Sequence, residues 1–145
     1  MKKTLFVLIF LVSNFMNAQE GEVKATIEDF FVALQEKDTV KLHTVCSDRI
    51  ILQSIQENTA SSKLSDESSA EFYKSIAAIP NTITFQEKLL SYSIQIDGAM
   101  AHVWTPYEFY INGKLSHSGV NSFTLFKENN RWKIIYCIDT RRKSL

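Results

Sequence analysis

Val103-Trp104-Thr105-Pro106-Tyr107-Glu108-Phe109-Tyr110, followed by Asn112-Gly113 and Leu115-Ser116-His117-Ser118-Gly119, reads as a β-hairpin. Asn-Gly is the strongest short hairpin signal, because both central residues of a type I′ turn need positive φ and these two tolerate it best. A two-residue turn fixes the register: counting outward, Tyr110 faces Leu115, Glu108 faces His117 and Pro106 faces Gly119. An acid and a base thus come side by side near a backbone irregularity, which makes the hairpin a candidate site.

On either side of the hairpin the chain keeps alternating. Asp97-Gly98, Asn112-Gly113 and Asn129-Asn130 divide everything after Pro80 into four candidate strands of an antiparallel meander. About a dozen residues separate the turns, more than the usual five or six, so the strands must twist or bend to keep covering a small core. With uninterrupted register Phe123 and Leu125 share a face with Trp132 and Ile134, whereas Ala101 and Val103 fall on the opposite one. One extra residue reconciles them. Proline cannot donate to a ladder, so Pro106 is one place for that bulge, and Gly119 is the rival. With the bulge at Pro106, Tyr136 and Ile138 join the apolar face, and His117 and Glu108 lie at its far end. With the bulge at Gly119, Tyr107 and Phe109 replace them there.

Before Pro80 the period is helical. Val23, Ile27, Phe30, Phe31 and Leu34 form an apolar stripe, with Lys24, Glu28, Asp29 and Glu36 on the wet side. Asp38 and Thr39 offer a cap for a short second helix through Val40, Leu42 and Val45. Ile50-Ile51-Leu52 is a short strand, Ser54 to Ser65 a loop or weak hairpin, and Asp66 to Ile79 a third helix stopped by Pro80. The fold class is therefore α+β, with two to three N-terminal helices on a strongly bent antiparallel sheet.

Met1-Lys2-Lys3, the apolar run Leu5 to Val12 and Asn17-Ala18-Gln19 follow the charged, apolar, small-residue order of a secretory signal. Residues 1–18 are expected to be a leader and 19–145 the domain, periplasmic or secreted. The run is short for a membrane span of about 20 residues, so no membrane association is expected after cleavage. An uncleaved anchor is the alternative. Without Lys2 and Lys3 the chain carries 14 basic against 16 acidic residues, which gives no electrostatic reason to bind nucleic acid. The remaining 127 residues suit one core.

Cys46 and Cys137 form either a disulfide, worth roughly 4 to 5 kcal/mol across so long a loop, or two buried thiols. His43 and Cys46 share a helix face, but zinc needs three or four ligands, and neither a metal nor another cofactor is expected.

Helices followed by a long, bent sheet, together with Ala101 to Phe109, His117-Ser118-Gly119, Phe123-Thr124-Leu125, Arg131-Trp132-Lys133-Ile134 and Asp139-Thr140-Arg141, resemble the cone-shaped domains named for nuclear transport factor 2. That superfamily includes SnoaL-like cyclases, ketosteroid isomerase and scytalone dehydratase, and these pieces are similar to exported bacterial members with no assigned activity. The resemblance implies a pocket between helices and concave sheet, and makes His117 the counterpart of a dehydratase histidine. No motif ties Tyr107, Glu108 or Asp139 to the oxyanion donors and base of the isomerase.

Three functional readings follow. The leading one is an exported domain that binds a small, partly apolar molecule, with Trp104, Glu108 and Arg141 as ligand contacts; a buried Asp139 paired with Arg141 suits a carbonyl or carboxylate. The second is a cofactor-free dehydratase or isomerase in which His117 moves the proton and Tyr107 or Asp139 orients the substrate oxygen. The third is a structural or homodimeric module with a filled interior, joined through the outer sheet face at Trp104 and His102. His43 and the tail Arg141-Arg142-Lys143 read as ordinary helix and solvated surface.

Overall fold

The structure, a computed structural model, describes the backbone of residues 2–143 and the side chains of residues 18–143. In chain order it runs α1 (Lys2–Glu36), α2 (Thr39–Val45), β1 (Cys46–Glu57), β2 (Ser62–Glu67), α3 (Ser69–Ala77), β3 (Phe85–Leu89), β4 (Ser93–Asp97), β5 (Met100–Ile111), β6 (Lys114–Glu128) and β7 (Arg131–Lys143). The expected leader lies, except for Ala18, outside the residues whose side chains are described. Among the described residues no helix is long and apolar enough to cross a membrane.

The stripe on α1 is buried as its spacing predicts: Val23, Ile27, Phe30 and Ala33 face the sheet. Lys37, at φ 59°, turns the chain out of α1, and Asp38 then caps α2 by accepting from the Lys41 amide at 2.9 Å. The third helix starts later than its polarity suggests. Ser68 and Glu71 make a reciprocal capping box that sets its first turn at Ser69, and Phe72 is its buried anchor.

Two sequence expectations about the sheet need correction, and an open one is decided. It is mixed rather than antiparallel, in the order β2-β1-β7-β6-β5-β3, with β1 parallel to β7 and β4 also paired to β5. Of the two readings of the polar stretch from Ser54, loop or weak hairpin, the hairpin holds: β1 continues to Glu57 and turns at Asn58, whose side chain accepts from the Ala60 and Ser61 amides, into the exposed edge strand β2. Edge exposure explains why β2 lacks apolar alternation. Finally, five strands follow Pro80 rather than four, because two short strands share one long neighbour: β4 pairs with Met100–Trp104 and β3 with Tyr107–Ile111.

Asn112 and Gly113 both have positive φ, and Tyr110 pairs with Leu115, as the turn requires. The extra residue is Ser116, neither Pro106 nor Gly119: Tyr110 opposes Leu115 but Phe109 opposes His117. From there inward Val103 faces Phe123 and Ala101 faces Leu125, so the core is reconciled by one slip, as expected. A second bulge at Ile135 on β7 turns Tyr136 and Ile138, expected on the apolar face, to the outer face and brings Cys137, Asp139 and Arg141 inward. Pro106 marks a different break. It lies where the neighbour of β5 changes from β4 to β3, and only its carbonyl is used on that side, accepting from Leu90 at 2.9 Å.

The core lies between α1, α2 and the inner face of the sheet. Phe123, wholly buried, meets Phe30 and Phe31 edge-on at 5.8 and 5.9 Å.

Candidate functional site

Sheet register lines the inner face in rows. One row, Val103, Phe123, Cys137 and Leu52 on β5, β6, β7 and β1, is apolar and covered by the helices. The next, two residues along, is polar throughout: Thr105, Asn121, Asp139 and Ser54. Thr105, Asn121 and Asp139 are buried. Side chains alternate faces with a period of two, so the pairing that builds the core also sets four polar groups in line at its border.

Above this row opens a cleft of about 530 Å³. Phe30, Phe31 and Leu34 of α1, with Phe72 of α3 and Phe123, make its apolar wall, and Glu87, Asn121, Asp139, Arg141 and Ser54 its polar one. Glu87 reaches in from β3 and accepts from Asn121 Nδ2 at 2.6 Å. Burial, reinforced by the nearby Asp139 carboxylate and opposed by the Asn121 hydrogen bond, pushes its carboxyl up to about 7. The Ser54 hydroxyl is buried with no hydrogen-bond partner among the described residues.

Asp139 is held from two sides. Arg141 Nε donates to its Oδ2 at 2.7 Å, and the Tyr107 hydroxyl lies 3.0 Å from the same oxygen and 2.9 Å from the Thr140 carbonyl. Burial and the neighbouring carboxylates push the Tyr107 phenol far above its usual range, so it stays protonated as a donor. Gly119 makes this possible. Any Cβ there would lie 1.7 Å from the Thr140 oxygen, so only glycine lets that carbonyl turn inward to the tyrosine.

The sequence-predicted residues divide between the two faces. Tyr107, Asp139, Arg141 and His117 are all on the inner face; Asp139 and Arg141 line the cleft, whereas Tyr107 is buried behind them. His117 stacks on Phe109 at 4.8 Å and meets the edge of Tyr107 at 5.8 Å. Burial and the Arg141 charge lower its pKa, which keeps it neutral at neutral pH. It stands at a second, wider cleft of about 1030 Å³ shared with Arg141, Arg142, Lys143 and the Asn58 turn. Glu108 does not face it. The Ser116 bulge moves His117 opposite Phe109 and leaves Glu108 on the outer face, hydrogen-bonded to the Tyr110 hydroxyl at 2.8 Å. Trp104 is also outside, half exposed between buried Val103 and Thr105, and so is no cleft contact.

Glu87, Asn121 and Ser54 escaped the sequence reading. Carrying the alternation of Leu125 and Phe123 back two residues reaches Asn121, and Phe85-Gln86-Glu87-Lys88-Leu89 sets Glu87 between two apolar residues of one face. Both cysteines are free thiols, and burial pushes Cys46 up to about 12. His43 stacks on Tyr73 at 3.9 Å. Among the described residues, no three His, Cys, Asp or Glu side chains gather as a metal site.

No protein-family model matches the sequence, and no curated protein matches it. Solved structures do match in shape. A nuclear transport factor 2-like protein from Cytophaga hutchinsonii is similar at a TM-score of 0.68 and 14% identity, over 86% of this chain and 98% of that one. One of unknown function from Shewanella baltica gives 0.65 and 13%, over 88% and 96%. A proposed dehydratase of the same family from Streptomyces avermitilis gives 0.66 and 14%, over 88% and 99%. With three helices on a strongly curved seven-stranded sheet, the chain has the nuclear transport factor 2-like fold.

Proposed function

We propose that this chain is an exported protein that holds one small, partly apolar molecule in the cleft between α1, α3 and the sheet. The observation that carries this reading is the two-sided lining: phenylalanines and leucine on one wall, and Glu87, Asn121, Asp139 and Arg141 on the other, around about 530 Å³. Volumes of about 300 to 1,000 Å³ with few convergent polar groups suit small ligands. Export is supported by Lys2-Lys3, the apolar run and Asn17-Ala18-Gln19.

The geometry supports binding over the proposed proton-transfer role of His117. Tyr107 spends its hydroxyl on Asp139 and Thr140, and His117 sits at the other cleft, so the three do not converge on one substrate oxygen. The likeness to a proposed dehydratase keeps an acid-base reaction as a second reading, with Glu87 better placed than His117 to serve it.

Nile red, a neutral fluorophore, tests the binding reading. Saturable one-to-one fluorescence enhancement is expected, and it disappears in Ser54→Trp, which fills the cleft, while that variant still melts cooperatively. Unsaturable enhancement, or enhancement unchanged in a folded Ser54→Trp, rules the cleft out.

A further inference from the structure

The cleft has a marked charge and hydrogen-bond imbalance. Five carboxylates line it, Glu87 and Asp139 on the floor and Asp66, Glu67 and Glu71 toward α3, against one cation, Arg141. That cation is already paired with one of them, its Nε donating to Asp139 at 2.7 Å. Oxygen acceptors are left over: Glu87 Oε2 and Asp139 Oδ1 take no hydrogen bond among the described residues, and the buried Ser54 hydroxyl has no partner. Ser54 pairs across the sheet with Asp139, which pairs with Asn121, the residue bonded to Glu87, so these oxygens border one floor.

We propose that the molecule held there is an organic cation, a protonated amine on an aromatic or aliphatic body, with its ammonium group over Glu87, Asp139 and Ser54 and its body against Phe31, Leu34 and Phe72. This rests on the reading of the cleft as a small-molecule site. An ammonium group offers three donors and no acceptor, which matches a floor with spare acceptors. A carboxylate ligand would meet four carboxylates, and a fifth once Glu87 ionises, and a neutral one would leave the acceptors under-used. Phenylalanine faces attract cations as well as apolar bodies. The second cleft has the opposite character, with Arg141, Arg142 and Lys143 against Glu57, and it repels the same ligand.

Binding is then linked to protonation of Glu87. Around it stand Asn121 on β6, Asp139, Cys137 and Arg141 on β7, and Tyr107 on β5; Asp66, Glu67 and Glu71 come from β2 and α3, and α1 presents only Phe30, Phe31 and Leu34. Tyr107 and Cys137 stay protonated and Arg141 stays charged through the neutral range, so Glu87 is the group that changes there.

The test compares three probes of one shape, 4-phenylbutylamine, 4-phenylbutanol and 4-phenylbutyrate, by isothermal titration calorimetry on the full chain. At pH 8 the amine is expected to bind about tenfold more tightly than the alcohol, and the butyrate not to compete with it. Amine affinity rises between pH 6 and pH 8. Glu87→Gln, which keeps the bond to Asn121, removes both the preference for the amine over the alcohol and its pH dependence, and Ser54→Ala narrows that preference. Equal or tighter binding of the alcohol or butyrate overturns the cation proposal and leaves the cleft reading standing. If none of the three displaces Nile red, the cation proposal falls whatever Nile red itself does, and the cleft reading is then judged on the Ser54→Trp result.

Discussion

Glu87 shows what one side chain does to both stability and site. Its carboxyl is raised mainly by burial, so the folded chain holds the proton more tightly than the unfolded chain does. That stabilisation is complete below the ordinary carboxylate range and is lost as the pH climbs through about 7. Glutamine keeps the shape and the acceptor for Asn121 without the charge. Glu87→Gln should therefore gain on the native chain by about 2 kcal/mol between pH 5 and pH 8, read from urea unfolding at both values, with allowance for partial exposure. A constant difference across that range would mean that Glu87 titrates as it does in water. At this scale the sequence was half legible. Asp139 and Arg141 were readable as a pair because they are two apart on one strand, and they do pair. Glu87 and Asn121 are 34 residues apart, and only the folded sheet shows that they meet.

Among the elements, legibility followed backbone chemistry. The Asn112-Gly113 turn was readable because its dihedrals demand those residues, and the α1 stripe because a helix has one period. The bulges at Ser116 and Ile135 were not, since they rest on residues without special dihedrals and are set by which face each strand must bury. Pro106 and Gly119 did mark irregularities, but of other kinds: a change of neighbouring strand and a close carbonyl. Gly119→Ala drives a methyl group into the Thr140 backbone and breaks the Tyr107 contact. A loss of about 3 kcal/mol is expected in chemical denaturation. A loss below about 1 kcal/mol would show that β7 shifts freely at Thr140.

For the whole molecule, the decisive fact is that the last strand is internal. β7 lies between β1 and β6 and supplies Trp132 and Ile134 to the core, whereas among the described residues the buried stripe of α1 begins at Val23. A chain starting at Gln19 should melt cooperatively by circular dichroism, and one ending at Ile135 should not. Cooperative melting of the second would mean that the helices and the β5–β6 hairpin hold together without closure by β1 and β7. The α+β class and the curved sheet were legible from element order; the parallel β1–β7 pairing was not, because no local signal joins strands separated by most of the chain. The line from Thr105 through Asn121 and Asp139 to Ser54 also separates two tolerances to substitution. Residues on its covered side answer to packing; in the binding reading proposed above, those on its open side answer to the ligand, so that substitution there would retune preference while the covered side keeps a shape also seen in proteins that share only 13 to 14% of their residues with this chain.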